Sequence, residues 1–137
     1  MVDRDVILAK TGAVKKYLKR IQNVSNITLQ IFLEDNNVQD IILFNIQLAV
    51  QNCIDIAAHI ISTEDMGIPG STNEMFYFLE ENNFINNLLT EKMVKAVGFR
   101  NLIVHEYGKL DLKRAYNISQ NDIYDLDDFL KEIIKKI

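Results

Sequence analysis

The chain has 137 residues, 48% of them hydrophobic and 25% charged, the balance of one globular domain with one core and not of a disordered tail or two domains. Fifteen Lys and Arg against 19 Asp and Glu leave a formal net charge of -4, which excludes a general attraction for a phosphate backbone, so any contact with nucleic acid has to be local. Five glycines and one proline are too few to punctuate many short strands and hairpins, and helices are the default.

The first residues, Met1 to Asp5, lack the basic start and apolar core of a secretory signal, and no apolar run is expected to approach the ~20 residues of a membrane span. The single cysteine, Cys53, lies inside an apolar run and cannot form an intramolecular disulfide. A soluble, cytoplasmic protein without membrane contact is expected.

From Ile7, positions Thr11, Val14, Leu18, Ile21, Ser25, Thr28 and Phe32 recur at alternating steps of four and three, predicting one long amphipathic helix over about residues 4 to 33. Glu34 to Asn37 interrupt the pattern as a short connection would. The next helix is predicted from about Gln39 to Ile61, apolar on most of its circumference through Ile42, Ile46, Val50, Ile54 and Ala57, and therefore the most buried element. Gly67, Pro69 and Gly70 mark the longest loop. Ser71, followed by Glu74, reads as a capping box for a short helix that ends near Asn82. A further helix is predicted from Ile85 through Leu89, Met93, Val97 and Ile103, with Gly108 as its stop. A helical turn near Asp111 to Tyr116 follows. Ser119, with Asp122 three residues on, is expected to cap a last helix with an apolar face of Ile123, Leu126, Phe129 or Leu130, Ile133 and Ile137. The fold expected is all-α, an up-and-down bundle of four main helices plus one or two short ones, forming a single domain over residues 1–137.

The segment from Gly98 to Tyr107 places a cation, an amide, an imidazole and a phenol close together, at Arg100, Asn101, His105 and Tyr107. One reading is structural: Arg100 and Glu106 face solvent, His105 partners the helix C-terminal dipole and Tyr107 is an amphipathic core residue. The other is chemical. At roughly 100° per residue Asn101 and His105 stack as an i, i+4 pair and Arg100 and Tyr107 as i, i+7, whereas Arg100 and His105 diverge by roughly 140°. Either the helix unwinds near His105, or two copies meet across a dimer axis and pool both side chains in one cleft, which is the preferred reading.

The preceding long helix carries Asn45, Asn52, Asp55 and His59 within roughly an 80° arc of an otherwise apolar cylinder. Each costs about 1 to 3 kcal/mol if buried unpaired, so they should meet another helix or subunit, with Asp55 against Arg100. A wet edge of the bundle is the other reading. No Gly-rich nucleotide loop, Cys-His metal spacing or Ser-His-Asp order is present, and the two histidines, His59 and His105, are far apart; no cofactor and no metal are expected.

Arg100, His105 and Tyr107 also reproduce an Arg-x4-His-x-Tyr motif. The string GFRNLIVHEY, the segment Phe44 to Ile60 with its Gln47, Asp55 and His59, and the stretch Met75 to Leu89 closely resemble the HepT branch of the HEPN proteins. The resemblance implies a homodimeric, metal-independent endoribonuclease acting on tRNA or mRNA. It further implies the toxin of a type VII-like toxin-antitoxin pair, with a MntA-like minimal nucleotidyltransferase as antitoxin. It casts His105 as general acid or base, Arg100 as phosphate clamp and Asn101 as a positioning group, with a 2',3'-cyclic phosphate as product. Tyr107 would be the residue that the partner modifies with AMP. The chemistry is sound, since an imidazole titrates near neutrality and a guanidinium stabilises charge on phosphorus. The alternative is a non-catalytic helical binding or regulatory subunit of a nucleotidyltransferase, which would tolerate loss of His105.

Overall fold

A computed structural model describes residues 2–137. Among them are seven α-helices and no strand: α1 (Arg4–Ser25), α2 (Leu29–Glu34), α3 (Asn36–Thr63), α4 (Thr72–Glu81), α5 (Asn87–His105), α6 (Leu112–Asn117) and α7 (Ile123–Lys136). A 3-10 turn, Tyr107–Lys109, follows α5, and a π segment, Ile118–Asp122, joins α6 to α7. The expected bundle of four main helices is present as α1, α3, α5 and α7; the short helices number three, α2, α4 and α6.

The apolar circumference of α3 places it at the centre. Ile42, Ala49, Cys53, Ile56, Ala57 and Ile60 are fully buried, and α1 packs along α3 more extensively than any other pair of helices, with α4, α5 and α7 covering further sides. Phe32, Phe76, Phe99 and Phe129 fill the remaining interior, Phe76 meeting Phe129 edge-on at 5.7 Å between ring centres. Burying each such ring contributes about 1.5 to 3 kcal/mol.

Contrary to the expectation about apolar runs, α3 is long and apolar enough by length and composition to cross a membrane. Asp40, Asn45, Asn52 and Asp55 interrupt the helix, yet its most apolar stretch keeps a mean hydropathy of 1.5. More than half of the stretch is buried inside the bundle, as in a core helix.

Local signals account for most helix ends. Ser71 caps α4, its hydroxyl accepting from the Glu74 amide at 3.2 Å. The same helix closes at Asn83, in the left-handed region at φ 63°, with Asn83 N donating to Glu80 O and Phe84 N to Leu79 O. That is a Schellman arrangement with asparagine in the glycine position.

Four further expectations need correction. The helix over residues 4 to 33 is two helices: α1 stops at Ser25, and Thr28 caps α2 by accepting from Ile31 N at 3.2 Å. Carbonyls freed at the break receive donors from far along the chain, Gln120 Nε2 to Ser25 O and Tyr116 Oη to Ile27 O, both 2.6 Å. Ser119 caps nothing; it is buried in the π segment and its hydroxyl donates to Tyr116 O. Both Phe129 and Leu130 are buried on α7, so neither alone defines its face. Nor does Gly108 stop α5. That helix ends three residues earlier, at His105, where Glu106 N donates to Leu102 O, and Gly108 lies inside the 3-10 turn.

Candidate active site

The bundle sets α5 antiparallel to α3, so the C-terminal end of α5 faces the N-terminal half of α3. Arg100 meets Gln51, and Tyr107, seven residues later, meets Asp40, eleven residues earlier. Asp40, Phe44, Gln47, Gln51 and Asp55 fall within roughly an 80° arc of α3, and this stripe is the wall of the site.

Arg100 is half-buried. Its guanidinium donates to Gln51 Oε1 at 2.5 Å and to Asn101 Oδ1 at 3.1 Å, and its Nε is buried with no partner among the described residues. Gln51 relays the contact: its Nε2 donates to Asp55 Oδ1 at 2.9 Å, and Asp55 Oδ2 pairs with Lys10 of α1 at 3.6 Å. Asp55 therefore does not touch Arg100 as anticipated. Its carboxylate is taken up by Lys10, and a neutral amide stands between carboxylate and guanidinium. Gln51, Asp40 and Lys10 were missed by sequence reasoning, although Gln51 and Asp55 are an i, i+4 pair on one face.

His105 is the last residue of α5 and is exposed; among the described residues its ring makes no hydrogen bond. Because α5 remains helical through His105, the roughly 140° between Arg100 and His105 is not relieved by unwinding. Tyr107 leaves the helical register. From the 3-10 turn its hydroxyl donates to the Asp40 carboxylate. Burial of the hydroxyl, then that hydrogen bond and the nearby negative charge, push the Tyr107 pKa up to about 12, so the phenol keeps its proton at neutral pH.

The other polar residues of the predicted stripe find partners within the chain, except that Asn45 Oδ1 is buried with none among the described residues. Asn45 and Asn52 donate their amides to carbonyls of their own helix, Ile41 O at 2.7 Å and Leu48 O at 2.9 Å, the i to i−4 bonding open to short polar side chains. His59 Nε2 accepts from the Asp3 amide at 3.2 Å. Burial pushes the Cys53 thiol up, which fits an inert core cysteine. A cavity of about 500 Å3 between α3, α5 and the α6–α7 segment, floored by Phe99 with Arg114 over its ring, contains none of the expected site residues.

Residues 14–133 match the family model described as "Ribonuclease HepT-like". The chain is 37% identical over 131 residues to the mRNA nuclease HepT of Shewanella oneidensis, covering 96% of this chain and 97% of that protein. It is 28% identical over 111 residues to the tRNA nuclease HepT of Aphanizomenon flos-aquae, covering 81% and 76%. Among solved structures, a tri-AMPylated Shewanella oneidensis HEPN toxin in complex with MNT antitoxin superposes with a TM-score of 0.90 at 35% identity, covering 98% of this chain and all of that one.

Proposed function

The chain belongs to the HepT-like ribonuclease family, and from that membership we propose that it is a metal-independent endoribonuclease toxin. On this reading Arg100 and His105 carry the cleavage and a nucleotidyltransferase antitoxin silences it by adding AMP to Tyr107. The observation that carries the reading is the state of Arg100: a half-buried guanidinium, aimed by Gln51 and Asn101, on the same helix end as an exposed His105.

His105 takes the proton of a ribose 2'-hydroxyl, or delivers one to the departing 5'-oxygen, and Arg100 holds the charge that builds on the phosphoryl oxygens. The 2'-oxygen bonds to phosphorus as the bond to the 5'-oxygen breaks, giving a 2',3'-cyclic phosphate. Gln51, tied to Asp55, and Asn101 position the guanidinium. The proposed chemistry uses a proton shuttle and a cationic side chain alone. The single imidazole on the α5 end and its angular divergence from Arg100 favour a homodimer in which two α5 ends share a cleft. Light scattering checks it: a strict monomer at micromolar concentration removes that part. RNA is the substrate class, since the named relatives act on mRNA and on tRNA.

The test is cleavage of RNA by the purified chain and by its Arg100→Ala and His105→Ala variants. Each loss should reach about 100-fold or more, with unchanged helical content because neither truncation opens a core cavity. Cleavage retained in His105→Ala overturns the proposal in favour of a binding subunit.

A further inference from the structure

Tyr107 has a fixed partner and an empty neighbour. Its hydroxyl donates to Asp40, a residue 67 positions away in the chain, on the exposed N-terminal part of α3. Beside it lies a depression of about 410 Å3 lined by Asp40, Ile41, Phe44, Asn45, Gln47 and Tyr107. Ile41 and Phe44 keep 41% and 55% of their surfaces exposed, an apolar shelf next to a reactive oxygen. Asn45 is 4% exposed; its amide nitrogen is engaged with Ile41 O, while its Oδ1 is buried with no hydrogen-bond partner. A buried acceptor left unpaired is costly, and its presence in a depression calls for a donor from a ligand.

We propose that this corner is the acceptor half of an adenylyl-transfer site: Asp40 takes the proton of Tyr107 as its oxygen attacks a nucleoside triphosphate, and the shelf of Phe44 and Asn45 receives the adenine. The inference rests on Tyr107 being the modified residue. The bond from Tyr107 Oη to the α-phosphorus forms, the bond from that phosphorus to the pyrophosphate oxygen breaks, and pyrophosphate leaves with the electron pair. The phenolic proton passes to the Asp40 carboxylate. A phenol that holds its proton at neutral pH is a poor nucleophile unaided, and an aspartate accepting a substrate hydroxyl proton is the arrangement protein kinases use. The adenine ring stacks on Phe44, as nucleobases do on exposed aromatic rings. Its exocyclic amine donates to Asn45 Oδ1. Guanine would present a carbonyl oxygen at that edge and leave two acceptors facing each other.

The experiment follows AMP addition by intact mass, with the full chain, a nucleotidyltransferase antitoxin of the MNT kind and ATP or GTP. The parent gains AMP units and Tyr107→Phe gains none. Asp40→Asn, a surface change checked for fold by circular dichroism, should slow the addition by about 100-fold, and Asp40→Glu should restore much of it, which a merely structural role would not do. Asn45→Leu should weaken the preference for ATP over GTP. A parent that gains no AMP, or a Tyr107→Phe variant that still does, overturns the modification reading itself. Tyr107 modified at the parent rate in Asp40→Asn overturns the inference alone.

Discussion

Replacing Gln51 with alanine should impair RNA cleavage without unfolding the bundle. The truncation removes the oxygen that accepts from Arg100 at 2.5 Å and the nitrogen that donates to Asp55 at 2.9 Å. Hydrogen bonds to charged groups contribute roughly 1.5 to 3 kcal/mol when shielded from water. Here Gln51 is half-buried and the Asp55 side chain is 39% exposed, so solvent screening reduces the figure to about 1 to 2 kcal/mol. If all of it is felt as misorientation of the guanidinium in the transition state, kcat/KM falls by roughly 5- to 30-fold. Alanine is the best helix former, so α3 itself should not suffer. Initial cleavage rates on a defined RNA, paired with thermal melts, separate the two effects. A double-mutant cycle sharpens the test: in an Arg100→Ala background, Gln51→Ala should add nothing. Parent-level cleavage in Gln51→Ala, or an additive loss in the double variant, refutes the positioning role.

Chelation should leave cleavage unchanged, because the proposed chemistry uses a proton shuttle and a cationic side chain only; activity lost in EDTA and restored by magnesium would overturn it. Tyr107 supplies a pH prediction. An ordinary phenol titrates near 10, and the folded protein pushes this one up to about 12, so the native state holds the proton more tightly than the unfolded chain. The stabilisation is therefore fully present below about pH 10 and is lost as the pH rises from there through 12. In urea titrations the advantage of the parent over Tyr107→Phe should stay level from neutrality to about pH 10 and shrink above it; an advantage that grows with pH contradicts the assigned environment.

The elements were legible in the sequence wherever the controlling signal was local. Ser71 with Glu74, and the apolar circumference of α3, act within a few residues of themselves and were read correctly. The break after Ser25 was not, because Ser25, Thr28 and Phe32 continue the seam spacing while the donors that satisfy the freed carbonyls, Tyr116 and Gln120, come from the other end of the chain. The site divides in the same way. Arg100, Asn101, His105 and Tyr107 lie in one short stretch and announce themselves by density. Their partners on α3 depend on helix register and on which face α5 covers. Asn45 and Asn52 drew attention as polar residues on an apolar cylinder, but they bond to their own backbone, while Gln51, an unremarkable glutamine, is the one that reaches Arg100.

Under the proposed function, the early end of α5 lets one short motif serve two purposes. Had the helix run on to Gly108, Tyr107 would have stacked over Arg100 as an i, i+7 neighbour, and a group added to the phenol would have competed directly for the guanidinium. With the helix closed at His105, the 3-10 turn carries Tyr107 to Asp40, eleven positions before Gln51 on α3. At 1.5 Å rise per residue the two anchor points are about 16 Å apart along that helix. The guanidinium, held by Gln51 and Asn101, stays fixed on a rigid element, while the phenol sits on a turn with 47% of its surface exposed, open to a second protein. On the proposed reading, a nucleotide attached there would place its charge beside the wall between the two stations and hinder an RNA backbone approaching Arg100, without having to dislodge Arg100 from Gln51. The rigid station suits chemistry that demands fixed orientation, and the exposed one suits modification by a partner.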